Sequence, residues 1–104
     1  MVNEILKASG VPFRETQWVG RPPETTYAIY MDDVNVDGAD DVNLISQHDI
    51  TIELYESKAD PKIEKALENQ FNVRGIKWTK QSRYWLTESQ RYQVIYEFSY
   101  IEKI

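Results

Sequence analysis

Cysteine is absent from the 104 residues, which excludes disulfides and thiolate chemistry and leaves the redox compartment open. There is one histidine, His48, and a lone imidazole at a strand start reads as a structural or surface residue. With no thiol beside it, the chain assembles neither a histidine-based metal site nor a convincing Ser/His/Asp set. Apolar runs stay well short of the roughly 18 residues that a membrane span needs. Met1-Val2-Asn3-Glu4 lacks the basic start and apolar stretch of a signal peptide, so a protein that stays in the cytoplasm of its cell is expected. The four glycines form no phosphate-binding loop.

Positive charge is also missing from one long stretch. Between Pro22 and Ser57 there is no Lys or Arg, while Glu24, Asp32, Asp33, Asp37, Asp40, Asp41, Asp49, Glu53 and Glu56 all fall there. From Arg74 to Arg91 the sign reverses, with Arg74, Lys77, Lys80, Arg83 and Arg91 facing only Glu88. The net charge of −5 conceals this division. Two readings follow: neighbouring strands pairing inside one subunit, or head-to-tail contact between identical subunits, the geometry that closes rings.

What is present is a clear strand pattern. Polar and apolar residues alternate from Tyr84 to Ile101, with Tyr92, Val94, Tyr96, Phe98 and Tyr100 on one side and Gln93, Glu97 and Ser99 on the other. A strand of that composition belongs inside a sheet, because as an open edge it invites aggregation. His48–Glu56 alternates as cleanly, and Thr25–Met31 is β-rich. Between them lies an acidic segment, 32–47, with Asp37-Gly38 as its best turn signal, which predicts a long projecting hairpin.

Asn3–Ser9 reads as a short amphipathic helix capped by Asn3 and stopped by Gly10 and Pro12. Asp60–Phe71 is the stronger helix: Asp60 caps it, Pro61 takes the first position, and Ile63, Ala66, Leu67 and Phe71 form its apolar stripe. Gly75 ends it just past Arg74. Val11–Glu24 reads as an irregular connection from which Phe13 and Trp18 either tuck against the sheet or stand out as contacts. Ile76–Arg83 and Tyr92–Ile101 then pair antiparallel across the polar Thr87-Glu88-Ser89. The order α-β-β-α-β-β predicts a single α+β domain: about four antiparallel strands with two helices on one face.

Asp33-Val34-Asn35-Val36-Asp37-Gly38 matches the start of an EF-hand loop. The match fails at the twelfth position, where Leu44 replaces the bidentate glutamate, and at the eighth, Asp40. A solvated acidic hairpin is the better reading. Lys77-Trp78-Thr79-Lys80-Gln81-Ser82-Arg83-Tyr84-Trp85 mixes cations with rings as single-strand binders do, but Trp78 shares a strand face with Ile76 and reads as core. No cofactor, metal or catalytic residue is assigned. An enzyme would have to be a small metal-dependent hydrolase or nuclease using Asp32–Asp41.

Several stretches resemble a family of small proteins from the morphogenesis region of tailed phages and prophages of Gram-positive bacteria. They are Ser9–Thr16, Thr26–Tyr30, Gly38–Asp40, His48–Glu56 and Tyr92–Ile101, which together span nearly the whole chain. In length and element order the family resembles the tail-terminator (tail-completion, head–tail joining) proteins of long-tailed phages. The resemblance implies one such domain over 1–104, without enzymatic activity, acting as a virion structural protein assembled in the host cytoplasm. It would form a ring, expected to be a hexamer, that caps the tail tube and meets the head connector. Its partners would be itself, the tail-tube protein and the head-connector protein, with no membrane and no specific nucleic acid. The alternative is another neck or tail-assembly component, a head-completion adaptor or an accessory factor. Candidate subunit or partner contacts are Asp37, Asp40 and Asp41 on the arm, and Lys77, Lys80 and Arg83 in the basic half.

Overall fold

The computed structural model describes residues 1–37 and 45–103. Among these, the chain forms α1 (Val2–Ser9), β1 (Phe13–Glu15), β2 (Tyr27–Asp37), β3 (Ile45–Glu56), α2 (Pro61–Val73), β4 (Trp78–Lys80), β5 (Tyr84–Leu86) and β6 (Arg91–Lys103). One sheet runs β1-β2-β3-β6-β4, and β5 pairs with β6 on the same edge as β4. The α+β class agrees with the sequence reading; the sheet does not in detail. It has six strands among the described residues, and it is mixed, because β1 lies parallel to β2.

The extra strand comes from the segment read as irregular. Phe13, Arg14 and Glu15 register with Ala28, Ile29 and Tyr30. A parallel neighbour requires a crossover, which 16–26 supplies. Three residues are too few to show alternation, so β1 left no periodic signal. Phe13 packs beside Tyr30 (centroids 6.2 Å apart) and against the core, while Trp18 meets the edge of Tyr27 at 5.4 Å on the other face.

The expected second ribbon is likewise altered. Its first arm is broken into β4 and β5, with 81–83 out of the ladder and the Gln81 N–H donating to the Ile95 carbonyl at 2.9 Å. The turn over 87–90 closes through Gln90 in the left-handed region, φ 54°.

Both helices end on glycines that adopt φ values open to glycine at little cost: Gly10 (+81°) after α1 and Gly75 (+69°) beyond Arg74, the cap residue of α2. Asp60 caps α2 as its sequence position predicts, accepting from the Ile63 N–H at 3.3 Å, and Thr26 Oγ1 donates to its other oxygen at 2.6 Å. Asn3 does not cap α1. The helix starts one residue earlier, and Asn3 Oδ1 accepts from the Tyr30 hydroxyl at 2.8 Å, a tertiary use for a side chain that local sequence suggested as a cap.

The core lies between the helices and one face of the sheet. Ala28 and Tyr30 of β2, Ile50, Ile52 and Leu54 of β3, and Val94, Tyr96 and Phe98 of β6 meet Val2, Ile5 and Leu6 of α1 and Leu67 and Phe71 of α2. Phe71 is the hub, its ring 5.3 Å from Phe98 and 5.6 Å from both Tyr96 and Trp78. Burying each such side chain contributes roughly 1.5–3 kcal/mol.

The sheet outruns the helices. β2, β3 and β6 continue in register to Asp37↔Ile45↔Lys103, so the predicted hairpin is joined by a third strand. On the helix side, Val34 and Val36 of this arm are 48% and 60% exposed. The arm gives extents of 49 × 29 × 22 Å and a radius of gyration of 15.1 Å, against about 13 Å for a compact chain this long.

Candidate functional site

Three places gather chemistry-bearing side chains. At the body end of the helix-covered face, Glu56 closes β3 with no exposure and Glu64 occupies the first turn of α2, also buried. The break between β4 and β5 lets Arg83 turn inward. Its Nε donates to Glu56 Oε1 at 3.3 Å and its Nη2 to Glu64 Oε2 at 2.5 Å. Lys80 donates to Glu64 Oε1 at 2.8 Å and Glu68 Oε2 at 2.7 Å, and the Tyr96 hydroxyl donates to the same Glu68 oxygen at 2.6 Å.

Three carboxylates thus share two cations. Glu56 Oε2 is buried without a partner among the described residues. Burial first, then the neighbouring Glu64, pushes the Glu56 pKa up to about 7, with Arg83 opposing. Burial also works to raise Glu64, but hydrogen bonds from Glu56, Lys80 and Arg83 outweigh it and leave Glu64 lowered. The two carboxyls are therefore pushed apart: Glu56 is the one that favours its protonated form, and Glu64 the one that stays ionised. A groove of about 270 Å³ adjoins this network, lined by Glu64, Lys80, Gln81, Ser82, Arg83 and Val94.

Of the candidate contact residues, Lys80 and Arg83 direct their charge into their own subunit, mostly onto Glu64 and Glu68 of α2 rather than onto a neighbouring acidic strand. Lys77 is exposed on the other side of the sheet. Asp40 and Asp41 lie outside the described residues, and Asp37 enters only as the closing residue of β2.

On the arm, the backbone register brings together what sequence spacing left apart. His48 Nδ1 lies 2.9 and 3.0 Å from the two Asp32 oxygens, so it donates to that carboxylate. Nε2 faces Ser46 Oγ at 3.4 Å and Glu102 Oε1 at 3.5 Å, and the ring stacks on Tyr100 at 4.5 Å and 5°. The order Ser46–His48–Asp32 is that of a hydrolytic triad. Ser46, however, is 4% exposed, and its hydroxyl is also 3.4 Å from the Glu102 carbonyl, so no electrophile can approach it. The arrangement is a clasp across three strands.

The third place is the sheet face without helices. At its body end Tyr27 stacks on Tyr55 at 5.1 Å, roofed by Trp18 and by Arg91, which lies over Tyr27 at 4.9 Å and donates to the Thr25 and Pro23 carbonyls. Burial, then the bond to Glu53, raises the Tyr55 hydroxyl to about 12. Farther out the face is bare, polar and acidic. Asp33 and Asp49 are direct cross-strand partners, and a concavity of about 540 Å³ is lined by these two with Glu15, Thr51 and Glu97. Hydrogen bonds from Ser99 and then Gln47 lower the Asp49 pKa, keeping it ionised.

Sequence reasoning missed the Glu56–Glu64 pair, since residues eight apart on a strand and a helix carry no shared spacing. It also passed over Lys58, Lys62 and Lys65, which are exposed and in no ion pair among the described residues. The signal for the last two was available: they lie three apart on the polar side of a helix whose apolar stripe was recognised.

No helix among the described residues is long and apolar enough to cross a membrane. No protein-family model and no curated protein matches the chain. Among solved structures, it is similar to a chain of a particle described as "Virion of native gene transfer agent (GTA) particle". The TM-score is 0.62 at 13% identity, and the match covers 96% of this chain and 84% of that one. At that identity the likeness is one of fold, and it extends over nearly all of both chains.

Proposed function

We propose that this chain is a non-enzymatic structural protein of a phage or phage-like virion, of the tail-terminator type. In this role it assembles as a ring that caps the tail tube and contributes to the head–tail junction. The observation that supports this most is the shared fold, over 96% of its length, with a chain of a gene transfer agent virion. The form of the molecule agrees. Its largest uncommitted features are an arm and a bare sheet face, surfaces suited to other proteins.

The partners proposed are further copies of the chain, the tail-tube protein and the head connector. Deleting the gene from its phage or prophage tests the role. Electron microscopy is expected to show filled heads separate from tails, with tubes of uncontrolled length. Normal virions from the deletion would refute it.

A further inference from the structure

α1 and α2 cover one face of the sheet only, and the other is polar, as the solvated face of an antiparallel sheet is. On the other, Trp18 and Arg91 roof the body end, and the rows from Met31 outward are bare. These rows carry an unfavourable charge pattern for an isolated subunit. Asp33 sits directly opposite Asp49, a like-charged pair on adjacent strands, and Glu97 and Glu15 border the same concavity. Lys77 borders an adjoining hollow of about 480 Å³ on this face and is the one cation lining either hollow.

A second surface has the opposite sign. Lys62 and Lys65 are exposed in the first half of α2, and Lys58 precedes it. Lys62, in the first turn of α2, lies at the positive end of its dipole, where a cation is unfavourable unless an anion answers it. The two surfaces lie on opposite sides of the molecule, since α2 packs on the face away from the concavity.

We infer that a second copy of this chain occupies the bare face, laying the Lys62–Lys65 side of its α2 across Asp33, Asp49 and Glu97. The inference rests on the ring-forming reading above and names the contact that would build the ring. Because the complementary surfaces differ, the contact is head-to-tail and repeats until it closes. The helix layer of one subunit then covers the sheet of the next, and each charge pattern that is unfavourable alone is neutralised.

The test uses the full chain in sedimentation velocity with two charge-reversed variants, Lys62→Glu/Lys65→Glu and Asp33→Lys/Glu97→Lys. All four substituted residues are exposed. Glutamates near the start of α2 suit its dipole and a lysine at 33 would face Asp49, whereas Glu97→Lys gives up the hydrogen bond from Gln81 Nε2, so thermal unfolding of each variant first establishes that it is folded. Each alone is expected to associate at least about tenfold more weakly than the parent. An equimolar mixture is expected to recover association, because the reversed surfaces complement one another.

Association unchanged in both variants, no recovery on mixing, or a parent that stays monomeric would overturn the inference. So would loss of binding to a duplex oligonucleotide without loss of association, which would assign the lysines to nucleic acid. A parent ring that ignores the reversals leaves the terminator reading intact and removes only this contact. Normal virions after gene deletion remove the terminator reading while the contact remains measurable in solution.

Discussion

Glu56 has no route to water, and its charge is set by Glu64 on one side and Arg83 on the other. Because its pKa in the fold is raised above the ordinary carboxylate value, the folded state holds a proton there that the unfolded chain releases first. The stability this contributes is complete below about 4.5 and is lost as the pH rises toward about 7. Glu64, lowered, acts in the opposite sense: its contribution is present above 4.5 and lost below it. The interval between 4.5 and 7 therefore belongs to Glu56. Glu56→Gln keeps the shape of the side chain and removes its charge. It is expected to raise stability at pH 8 by about 1–3 kcal/mol and to flatten the profile across that interval. Urea unfolding from pH 4 to 9 checks this; a parallel shift with the slope retained would assign the proton elsewhere. None of this was visible from residue types, since two glutamates eight apart shift one another's pKa only when a strand end and a helix start are packed together.

The arm is where the elements behave least like their local sequence. Asp32–Asp37, the first part of the acidic segment expected to project as a hairpin, continues β2, because its backbone groups find partners on β3 and the ladder costs less than leaving them to a loop. Beyond the helices, the arm lacks a core, and its order depends on cross-strand links. Chief among these is the bond from His48 to Asp32, with Tyr100 stacked on the imidazole. Removing it with His48→Ala is expected to speed amide exchange at least about tenfold in 33–36, 46–48 and 100–102. The strand centres around Ile52 and Tyr96 should exchange as before. Uniform acceleration across the sheet would mean that the arm and the body open as one unit. The lone histidine, read as a structural or surface residue, is half-buried, and its partners came from the register, which residue spacing does not contain.

The described residues join an acidic sheet face to a lysine-bearing helix on the far side, the polarity on which the head-to-tail proposal rests. If such charges carry the contact, association weakens as salt rises, since screening shortens electrostatic reach to about 8 Å at physiological ionic strength. Raising sodium chloride from about 50 to 500 mM is expected to reduce self-association several-fold, measured by mass photometry. Association that strengthens with salt would point to an apolar contact, with Ile101, 66% exposed on the bare face, as its natural centre.

Periodicity and end signals sufficed for the long elements: the alternation of β3 and β6, the cap and apolar stripe of α2, and the glycines that stop both helices act through neighbours in the chain. Such interactions are complete within a turn or two of backbone, so residue order alone specifies them. The short parallel β1, the split between β4 and β5, the opposed pKa shifts of Glu56 and Glu64, and the inward turn of Lys80 and Arg83 depend on groups far apart in the chain. Their energies exist only once the sheet and the helix layer bring those groups close together, and the same packing leaves one sheet face bare.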